Sequence, residues 1–368
     1  MFRTTTIEID NSSWSGVVPT SISSLKRKRR FDLRKGLLHT AYRTRPPYIH
    51  GFHLSDSWAW IRYRFAFLGS TALRLRPEWT DLDPHQKTIL SDDLGMGLTT
   101  QLLEEKLGVR TFHNTLHFLK VVNPTALKLL SVAKNGAAKN PDFVCFDSQN
   151  RITLLECKGS QSSQAALRKA METGKQQKTN VAARASRIHQ ALVMGVFIPQ
   201  HGSKEKSILR IADPNWTEVS GLLDQLSDEE LALADTRLEL ARTFAFLGLE
   251  HSANILSGGQ DSSQLVLTPE ARQELSSSIS EMGEMIQVES PVSRWEPSTE
   301  ESGAALIARI RYPSNNIEHF LGSGSLGETV LRERQRTINR RWLYEATETE
   351  ATLTSPTGLQ LSIGRRSD

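Results

Sequence analysis

Two short apolar segments flank a three-residue polar turn near the middle of the chain. The segments are DFVCFD, from Asp142 to Asp147, and RITLLECK, from Arg151 to Lys158, and the turn is Ser-Gln-Asn. Segments rich in β-branched and aromatic residues on both sides of such a turn are typical of an antiparallel hairpin. A three-residue turn here pairs position 142 with position 156. The hairpin therefore predicts which side chains of its two strands face each other.

The predicted register places two carboxylates and an amine on one face of the hairpin. Asp142 lies across from Glu156, with Cβ atoms about 5 Å apart, and Lys158 shares their face because side chains alternate along a strand. Carboxylates this close repel, so either one takes up a proton or a divalent cation lies between them. Carboxylate oxygens suit Mg²⁺, which supports phosphodiester hydrolysis. The pattern favours a site for Mg²⁺, with Mn²⁺ as a substitute; the structural alternative is an exposed Glu156–Lys158 ion pair.

Helical and strand patterns surround the hairpin. Leucines at intervals of three to four residues predict a helix from Asp92 to Leu107, ended by Gly108. A second helix is predicted from about 163 to 188, and the apolar strands ALVMGVFI and SILRIA follow it. This order predicts an α/β fold, a mixed sheet flanked by helices, over residues 86–215.

Pro141-Asp142 on one strand and Glu156-Cys157-Lys158 on the next resemble the PD-(D/E)xK signature of restriction-endonuclease-like nucleases. The resemblance covers about a third of the chain. It implies a restriction-endonuclease-like core, with Asp142, Glu156 and the Cys157 carbonyl as metal ligands and Lys158 as the catalytic lysine. It also implies a metal-dependent DNA nuclease, by superfamily habit an endonuclease, in a defence, restriction or mobile-element context.

Two further positions of the family pattern have candidates in this chain. Many members add a catalytic polar residue on the helix after the lysine strand, and Gln177 lies on a predicted face of small residues there, with Ala166, Ala170 and Gly174. Many members also carry an acid on the first helix. That helix offers four acids, Asp92, Asp93, Glu104 and Glu105. No local feature selects among them, and Asp93 or Glu104 is the expected additional metal ligand.

Clusters of basic residues matter more than the formal net charge, which is only +4. Six cations are expected to contact nucleic-acid phosphates: Lys169, Lys175, Lys178, Arg184, Arg340 and Arg341. A basic helix is predicted at about 328–346, where Trp342 is a candidate to stack on a base. Acids on that helix make a solvated charged face an equal alternative. The run Lys26 to Arg30 fits a solvated arm, a phosphate contact or a nuclear-import signal.

Three other features have structural interpretations. Gly322, Gly324 and Gly327 match a dinucleotide-binding spacing, but too little chain follows them for the strand-helix-strand unit, so a loop leading into a helix is expected. The segment 109–122 fits a strand at least as well as a helix, and because His113 and His117 would share one face only in a helix, no zinc site is predicted. Cys145 and Cys157, the two cysteines of the chain, are too far apart in the predicted register to form a disulfide.

The sequence divides into four predicted regions. They are a basic N-terminal region at 1–85, the nuclease core at 86–215, a helical region at 216–290, and a C-terminal region at 291–368 with a strand, a basic helix and a small β-hairpin turning at 355–358. The helical region is a candidate contact for a protein partner or a second copy of the chain. Neither a membrane-spanning run nor a secretory signal is evident, so a cytoplasmic protein without a membrane partner is expected.

Two alternatives to a DNA nuclease are compatible with the sequence. One is a nucleic-acid-binding or assembly subunit with a nuclease-like fold, whose activity needs a partner. The other is a nuclease that acts on RNA. A composition of 38% hydrophobic and 23% charged residues is that of a folded chain, so disorder is not among the alternatives.

Overall fold

The chain forms two compact units in a computed structural model. One unit comprises residues 1–44 and 60–231, and the other comprises residues 45–59 and 232–368. The structure describes residues 2–44, 63, 66–67, 69–122, 140–177, 188–213, 223, 226–258, 265–282, 285–292, 306–324, 326–338, 341–348 and 350–365. Within these ranges, none of the helices combines the length and the apolar character needed to cross a bilayer.

The first unit is an α/β structure built on a mixed seven-stranded sheet. Its strands are β1 (Phe2–Ile9), β2 (Lys28–Asp32), β3 (Val109–Asn114), β4 (Phe143–Asp147), β5 (Ile152–Ser160), β6 (Ile188–Phe197) and β7 (Ile208–Ala212). Their order in the sheet is β2-β1-β7-β6-β5-β4-β3. The pairs β1–β7 and β5–β6 are parallel and the remaining pairs are antiparallel. The predicted mixed sheet is confirmed.

Helices cover both faces of this sheet. They are α1 (Thr20–Ser23), α2 (Leu33–Thr44), α3 (Pro84–Leu107), α4 (Thr115–Val122) and α5 (Gln164–Gln177). The helices α2 and α3 pack on each other, and α3 contacts β5 through residues such as Thr99 and Cys157. The helix α5 contacts β5 and β6 from the opposite side, because Gly174 lies against Glu156 and Lys158. The strand β5 is therefore held between two helices.

The first predicted helix is confirmed and is longer than expected. It begins at Pro84, with the Asp83 side chain accepting hydrogen bonds from two backbone N–H groups of the first turn, and Pro84 suits the first helical position. It ends at Leu107, where Gly108 adopts a left-handed conformation with φ of 67°. The second predicted helix is shorter than expected, because it ends at Gln177 and Ile188 already belongs to β6.

The basic segment Lys26–Arg30 overlaps a strand of the sheet. Residues from Lys28 onward form β2, which pairs with β1 and is the outermost strand on its side among the described residues. Charged side chains on an edge strand discourage pairing with another chain. The N-terminal segment thereby extends the same sheet that contains the β4–β5 hairpin.

The segment 109–122 changes from strand to helix at Thr115, so its interpretation as a strand holds only for the first half. The first half is β3 and the second half is α4. Both His113 and His117 are buried, and the His113 ring stacks on Phe118 with centroids 6.0 Å apart. His113 therefore belongs to an aromatic core layer with Phe118 and Phe146.

The second unit combines helices with a five-stranded antiparallel sheet. Its helices are α6 (Asp228–Phe246), α7 (Glu250–Ser257), α8 (Pro269–Met282), α9 (Asn315–Ser323) and α10 (Glu328–Ile338). Its strands are β8 (Met285–Val292), β9 (Leu306–Pro313), β10 (Leu343–Ala346), β11 (Glu350–Thr354) and β12 (Gln360–Arg365), in the order β10-β11-β12-β9-β8. The predicted C-terminal hairpin is confirmed, with Gly358 at φ of 94° in its turn.

Two expectations for the C-terminal region are wrong. The basic helix α10 ends at Ile338, and residues from Leu343 form β10 instead of continuing the helix. Trp342 is buried, so its ring is not available to stack on a base. The glycine-rich segment is a loop as expected, because Gly324 ends α9 in a left-handed conformation and α10 begins at Glu328.

Candidate active site

The β4–β5 hairpin has the predicted register. Phe143 pairs with Leu155 and Cys145 pairs with Thr153, which continues to Asp142 opposite Glu156. The turn is held by the Asp147 carboxylate, which accepts hydrogen bonds from the backbone of Gln149 at 2.8 Å and of Arg151 at 3.0 Å. Asn150 closes it with a φ of 58°, a left-handed conformation that Asn tolerates well. The polar turn thus sets the register that brings the two acids together.

Asp142 immediately precedes β4, at the point where the pairing of β4 with β5 ends. The paired residues end at Phe143 and Leu155, whereas β5 continues to Ser160 alongside β6. At this point the Asp142 carboxylate accepts a hydrogen bond from the Cys157 backbone N–H at 2.7 Å. The Asp142 backbone N–H in turn donates to Glu156 Oε2 at 3.2 Å. Both carboxylates are therefore held by backbone groups where the two strands separate.

Lys158 is partly exposed to solvent, as Asp142 is. Its ammonium donates to Glu156 Oε1, and its side chain is 22% exposed while that of Glu156 is 0% exposed. Both side chains lie against Gly174 of α5, which confirms that they share one face of the sheet. The pair thus has a buried anion and an accessible cation, unlike the exposed ion pair of the structural alternative.

Burial and mutual repulsion shift the ionisation of the three groups. Burial and the neighbouring Asp142 raise the pKa of Glu156 to about 7. Burial likewise raises the pKa of Asp142, against the hydrogen bond from Cys157 and the attraction of Lys158. Burial lowers the pKa of Lys158, but the attraction of Glu156 outweighs it and the pKa is raised overall. When both are ionised, the carboxylates of Asp142 and Glu156 carry more negative charge than the single ammonium of Lys158 neutralises.

Glycines allow both helices to approach the site strand. A Cβ at Gly159 would overlap the Ser91 carbonyl oxygen of α3, and a Cβ at Gly95 would come within 2.9 Å of the Lys158 carbonyl group. On the other face, a Cβ at Gly174 would lie 3.0 Å from the Glu156 side chain. The backbones of α3 and α5 therefore lie directly against β5, which restricts the conformations of Glu156 and Lys158.

The first-helix acid nearest to the site is Asp92. Its carboxylate acts electrostatically on Lys158 and Asp142, and partial desolvation raises its pKa against the attraction of Lys158. The expected acids lie elsewhere: Asp93 accepts a hydrogen bond from the Tyr63 hydroxyl at 2.9 Å, and Glu104 accepts one from Lys35 at 2.6 Å. The structure thus brings Asp92, rather than Asp93 or Glu104, to the acid pair.

A signal for Asp92 is present in the sequence. The small residues Ser91, Gly95 and Thr99 recur every four positions and mark the side of α3 that touches β5. At 100° per residue, Asp92 lies about 60° from the centre of this stripe and Asp93 about 160° from it. The small-residue stripe selects the acid once its contact with β5 is known, whereas the leucines mark only the buried side of the helix.

The proposed DNA-contacting residues are found in several places. Lys169 is exposed on α5, and Lys175, on the same helix, pairs with Glu172 at 2.5 Å. Arg341 is exposed between α10 and β10. Lys178, Arg184 and Arg340 lie outside the described residues, as does the side chain of Gln177, whose backbone ends α5. The buried positions of α5 are Leu167, Met171 and Gly174, so Ala166 and Ala170 flank the contact with the sheet.

Both cysteines are reduced and buried, as expected. Cys145 pairs with Thr153 in the hairpin, one strand away from Cys157. The Cys157 thiol lies 3.2 Å from the Thr99 hydroxyl on the face opposite the acids, and burial raises its pKa well above the ordinary value. Its side chain therefore packs against α3, while its backbone N–H holds Asp142.

The donor set of the site suits a cation with oxygen ligands. Across the described ranges, no three side chains among His, Cys, Asp and Glu are grouped closely enough to hold a metal ion by themselves. Asp142 and Glu156 provide two carboxylates, both with raised pKa values that an added positive charge would lower. Mg²⁺ is commonly held by one or two carboxylates together with waters and substrate phosphates. The residues present fit that mode of binding.

No protein-family model, no curated protein and no solved structure matches this chain.

Proposed function

We propose that the chain is a metal-dependent DNA nuclease of the restriction-endonuclease-like type, acting as an endonuclease. The observation that carries the proposal is the acid pair Asp142–Glu156 at the end of the β4–β5 pairing. Lys158, two residues after Glu156 on the same strand, donates a hydrogen bond to Glu156. Two desolvated carboxylates beside one ammonium favour the binding of additional positive charge. A role in defence, restriction or mobile-element movement belongs to the same proposal.

A bound Mg²⁺ would be held by Asp142 and Glu156, with Asp92 and the Cys157 carbonyl group as further candidates. When bound, the ion lowers the pKa of a coordinated water and stabilises charge on phosphate oxygens. The chain's own residues fix the geometry around it. The Cys157 N–H orients one Asp142 oxygen, and the Asp142 N–H orients one Glu156 oxygen. Preorganised carboxylates lose little freedom when they bind the ion.

Lys158 adds a positive charge on the accessible side of the acids. Because its pKa is raised, the ammonium stays protonated at neutral pH and acts as an electrostatic group. A fixed cation beside a scissile phosphate stabilises the negative charge that develops on the oxygens during hydrolysis. We propose this role for Lys158 and assign the activation of water to the metal ion.

The experiment is digestion of supercoiled, linear and single-stranded DNA, with an RNA control, in Mg²⁺, Mn²⁺ and EDTA. Wild type should cleave DNA with either metal and should be inactive in EDTA. Asp142→Ala and Lys158→Ala should each lower the rate by about 1,000-fold or more. Glu172→Gln, which removes an exposed acid paired with Lys175 on α5, is the matched control and should retain activity.

Each alternative gives a different result in this experiment. Cleavage of RNA alone would replace DNA as the substrate. Cleavage that Asp142→Ala and Lys158→Ala leave intact would place the active site elsewhere. Binding without cleavage of any substrate would favour the subunit whose activity needs a partner.

A further inference from the structure

The basic residues of β2 lie on the same face of the sheet as Lys158. Lys28 pairs with Thr6 of β1, and the row continues across the sheet through Ile208, Phe197 and Ser160. Paired residues in adjacent strands point to the same face, and residues two positions apart in one strand do so as well. Lys28 and Arg30 therefore share the face of Lys158 and Glu156, four strands away from β5.

This part of the sheet face is accessible to solvent. Along β1 the buried positions are Arg3, Thr5, Ile7 and Ile9, which point to the face covered by α2 and α3. The alternate positions are more open, and Phe2 is 45% exposed. On β2, Lys28 and Arg30 are exposed. The helix α5 covers β5 and β6 on this face and leaves β1 and β2 as an open surface beside it.

The acids near this surface are already engaged. Arg210 pairs with Glu8 at 3.4 Å and with Asp10 at 3.5 Å. Asp32 pairs with Arg34 at 3.0 Å. Glu205 accepts hydrogen bonds at 3.3 Å from the backbone N–H of Gln164, at the start of α5. The negative charges of this region are therefore largely compensated within the protein.

Five cations of this region remain without a carboxylate partner in the described part of the chain. We call them the basic surface: Lys28, Arg30, Arg168, Lys204 and Lys206. Arg30 lies over the Phe2 ring at 4.0 Å, which orients its guanidinium without neutralising it. Arg168 is seven residues before Lys175, on the side of α5 where Lys175 attracts Asp10. The basic surface thus borders α5 opposite the acid pair.

We propose that the basic surface binds backbone phosphates of duplex DNA at a distance from the cleaved bond, an inference that rests on the proposed nuclease function. Four strand spacings place β2 about 19 Å from β5. At 3.4 Å of rise per base pair, this distance corresponds to about five or six base pairs of a duplex. Lys28 and Arg30 would hold the duplex by sequence-independent charge contacts while a phosphate lies at Lys158.

The test measures equilibrium binding of a 30-base-pair duplex by fluorescence anisotropy in EDTA, over a series of salt concentrations. The variant is Lys28→Ala/Arg30→Ala. The control, Lys106→Ala/Lys120→Ala, removes two exposed cations from α3 and α4, near β3 at the opposite edge of the sheet. Loss of two phosphate contacts should reduce the slope of log K against log salt by about two. Affinity at low salt should fall by about tenfold or more, while the control stays within about twofold of wild type.

The outcomes separate this inference from the proposed function. A slope unchanged in Lys28→Ala/Arg30→Ala, or reduced equally in the control, overturns the basic surface even if wild type cleaves DNA. A wild type that does not bind DNA overturns it as well. A reduced slope with no cleavage of DNA under any condition supports the basic surface and favours the subunit whose activity needs a partner over a nuclease that acts alone. Circular dichroism and thermal unfolding of both double variants establish that each is folded.

Discussion

Glu156 combines the role proposed for it in metal binding with a cost in stability. Its side chain is fully buried, faces a second carboxylate, and has one ammonium as its neutralising partner. Burial and the neighbouring carboxylate raise the pKa of Glu156 in spite of Lys158, so ionisation of Glu156 at neutral pH lowers the free energy of unfolding. For the stability of the fold alone, an apolar or amide side chain at this position would serve at least as well as the carboxyl group.

The first prediction concerns the stability of Glu156→Gln in EDTA. The pKa of Glu156 is about 7 in the folded chain and near its ordinary value of about 4.3 in the unfolded chain. The folded state binds this proton more tightly, so the contribution to stability is complete below about pH 4 and is lost as the pH rises through 7. Glu156→Gln should therefore be more stable than wild type at pH 8, by about 2 kcal/mol.

The measurement for Glu156→Gln is urea unfolding from pH 4 to pH 8. The difference between variant and wild type should disappear at the acid end. Glu172→Gln, an exposed acid on α5, should follow the wild-type curve throughout. A variant that is less stable than wild type at pH 8 would show that Glu156 stabilises the fold.

The second prediction distinguishes two neighbouring acids of α3. Asp92 interacts electrostatically with Lys158, whereas Asp93 accepts a hydrogen bond from the Tyr63 hydroxyl. Asp92→Asn should raise the Mg²⁺ concentration needed for half-maximal cleavage by about tenfold, because it removes negative charge beside the acid pair. Asp93→Asn, the same change one residue later, should leave that concentration unchanged. The reverse pattern would return the first-helix role to Asp93.

At the scale of elements, local patterns predicted the hairpin and the first helix but not the N-terminal strands. The hairpin depends on a short polar turn, and α3 ends at a glycine in a left-handed conformation, so neighbouring residues determine both. The strand β2 consists of lysine and arginine followed by Phe31 and Asp32, and its pairing with β1 is a contact between distant parts of the chain. Because β2 is rich in charged residues, its sequence did not predict a strand of the sheet.

The site was predictable to the extent that it depends on register. Asp142, Glu156 and Lys158 follow from the two-residue period of paired strands. Asp92 depends on which side of α3 touches β5, a question of packing that small residues answer only once the contact is known. The interpretation of 109–122 as strand and of 328–346 as helix held only for part of each segment, because tertiary packing overrode the local pattern.

The third prediction concerns the packing of α3 on β5. Gly159→Ala places a methyl group into the Ser91 backbone, which cannot move without displacing the helix. The free energy of unfolding should fall by about 2 kcal/mol or more, and cleavage should decrease because Lys158 shifts with the strand. Gly202→Ala is the matched control, since nothing lies within 4 Å of a Cβ there. Equal stability of both variants in urea unfolding would contradict the close contact.

At the scale of the whole molecule, two units differ in where their charges lie. In the first unit, the buried Glu156 and the partly exposed Asp142 lie at the end of a strand pairing, beside the partly exposed Lys158. In the second unit, α6 buries Arg237, whose guanidinium donates to the carbonyls of Leu256 and Gly258 where α7 ends. That arginine is satisfied by backbone groups of its own unit. Asp142 and Glu156, whose pKa values are raised, form an arrangement that an added cation would stabilise.

The fourth prediction follows from this difference. A ligand that binds only the folded state stabilises it by mass action, by about 2.7 kcal/mol at a hundred times its dissociation constant. Mn²⁺ should therefore raise the unfolding temperature of wild type by several degrees, and EDTA should reverse the increase. Differential scanning calorimetry should show no increase for Asp142→Ala and the full increase for Glu172→Gln. An equal increase in all three proteins would place the bound metal outside the acid pair.

The hairpin turn has a consequence for recognising relatives of this chain. Asp142 lies five residues before the last residue of β4, Asp147, and Glu156 lies five residues after Arg151, its counterpart across the turn. The turn can gain or lose residues without moving either acid, whereas an insertion within one strand rotates its acid to the other face. Two chains with the same site can therefore differ in the spacing between their acids. What they must share is the same number of residues between the turn and the acid on each of the two strands.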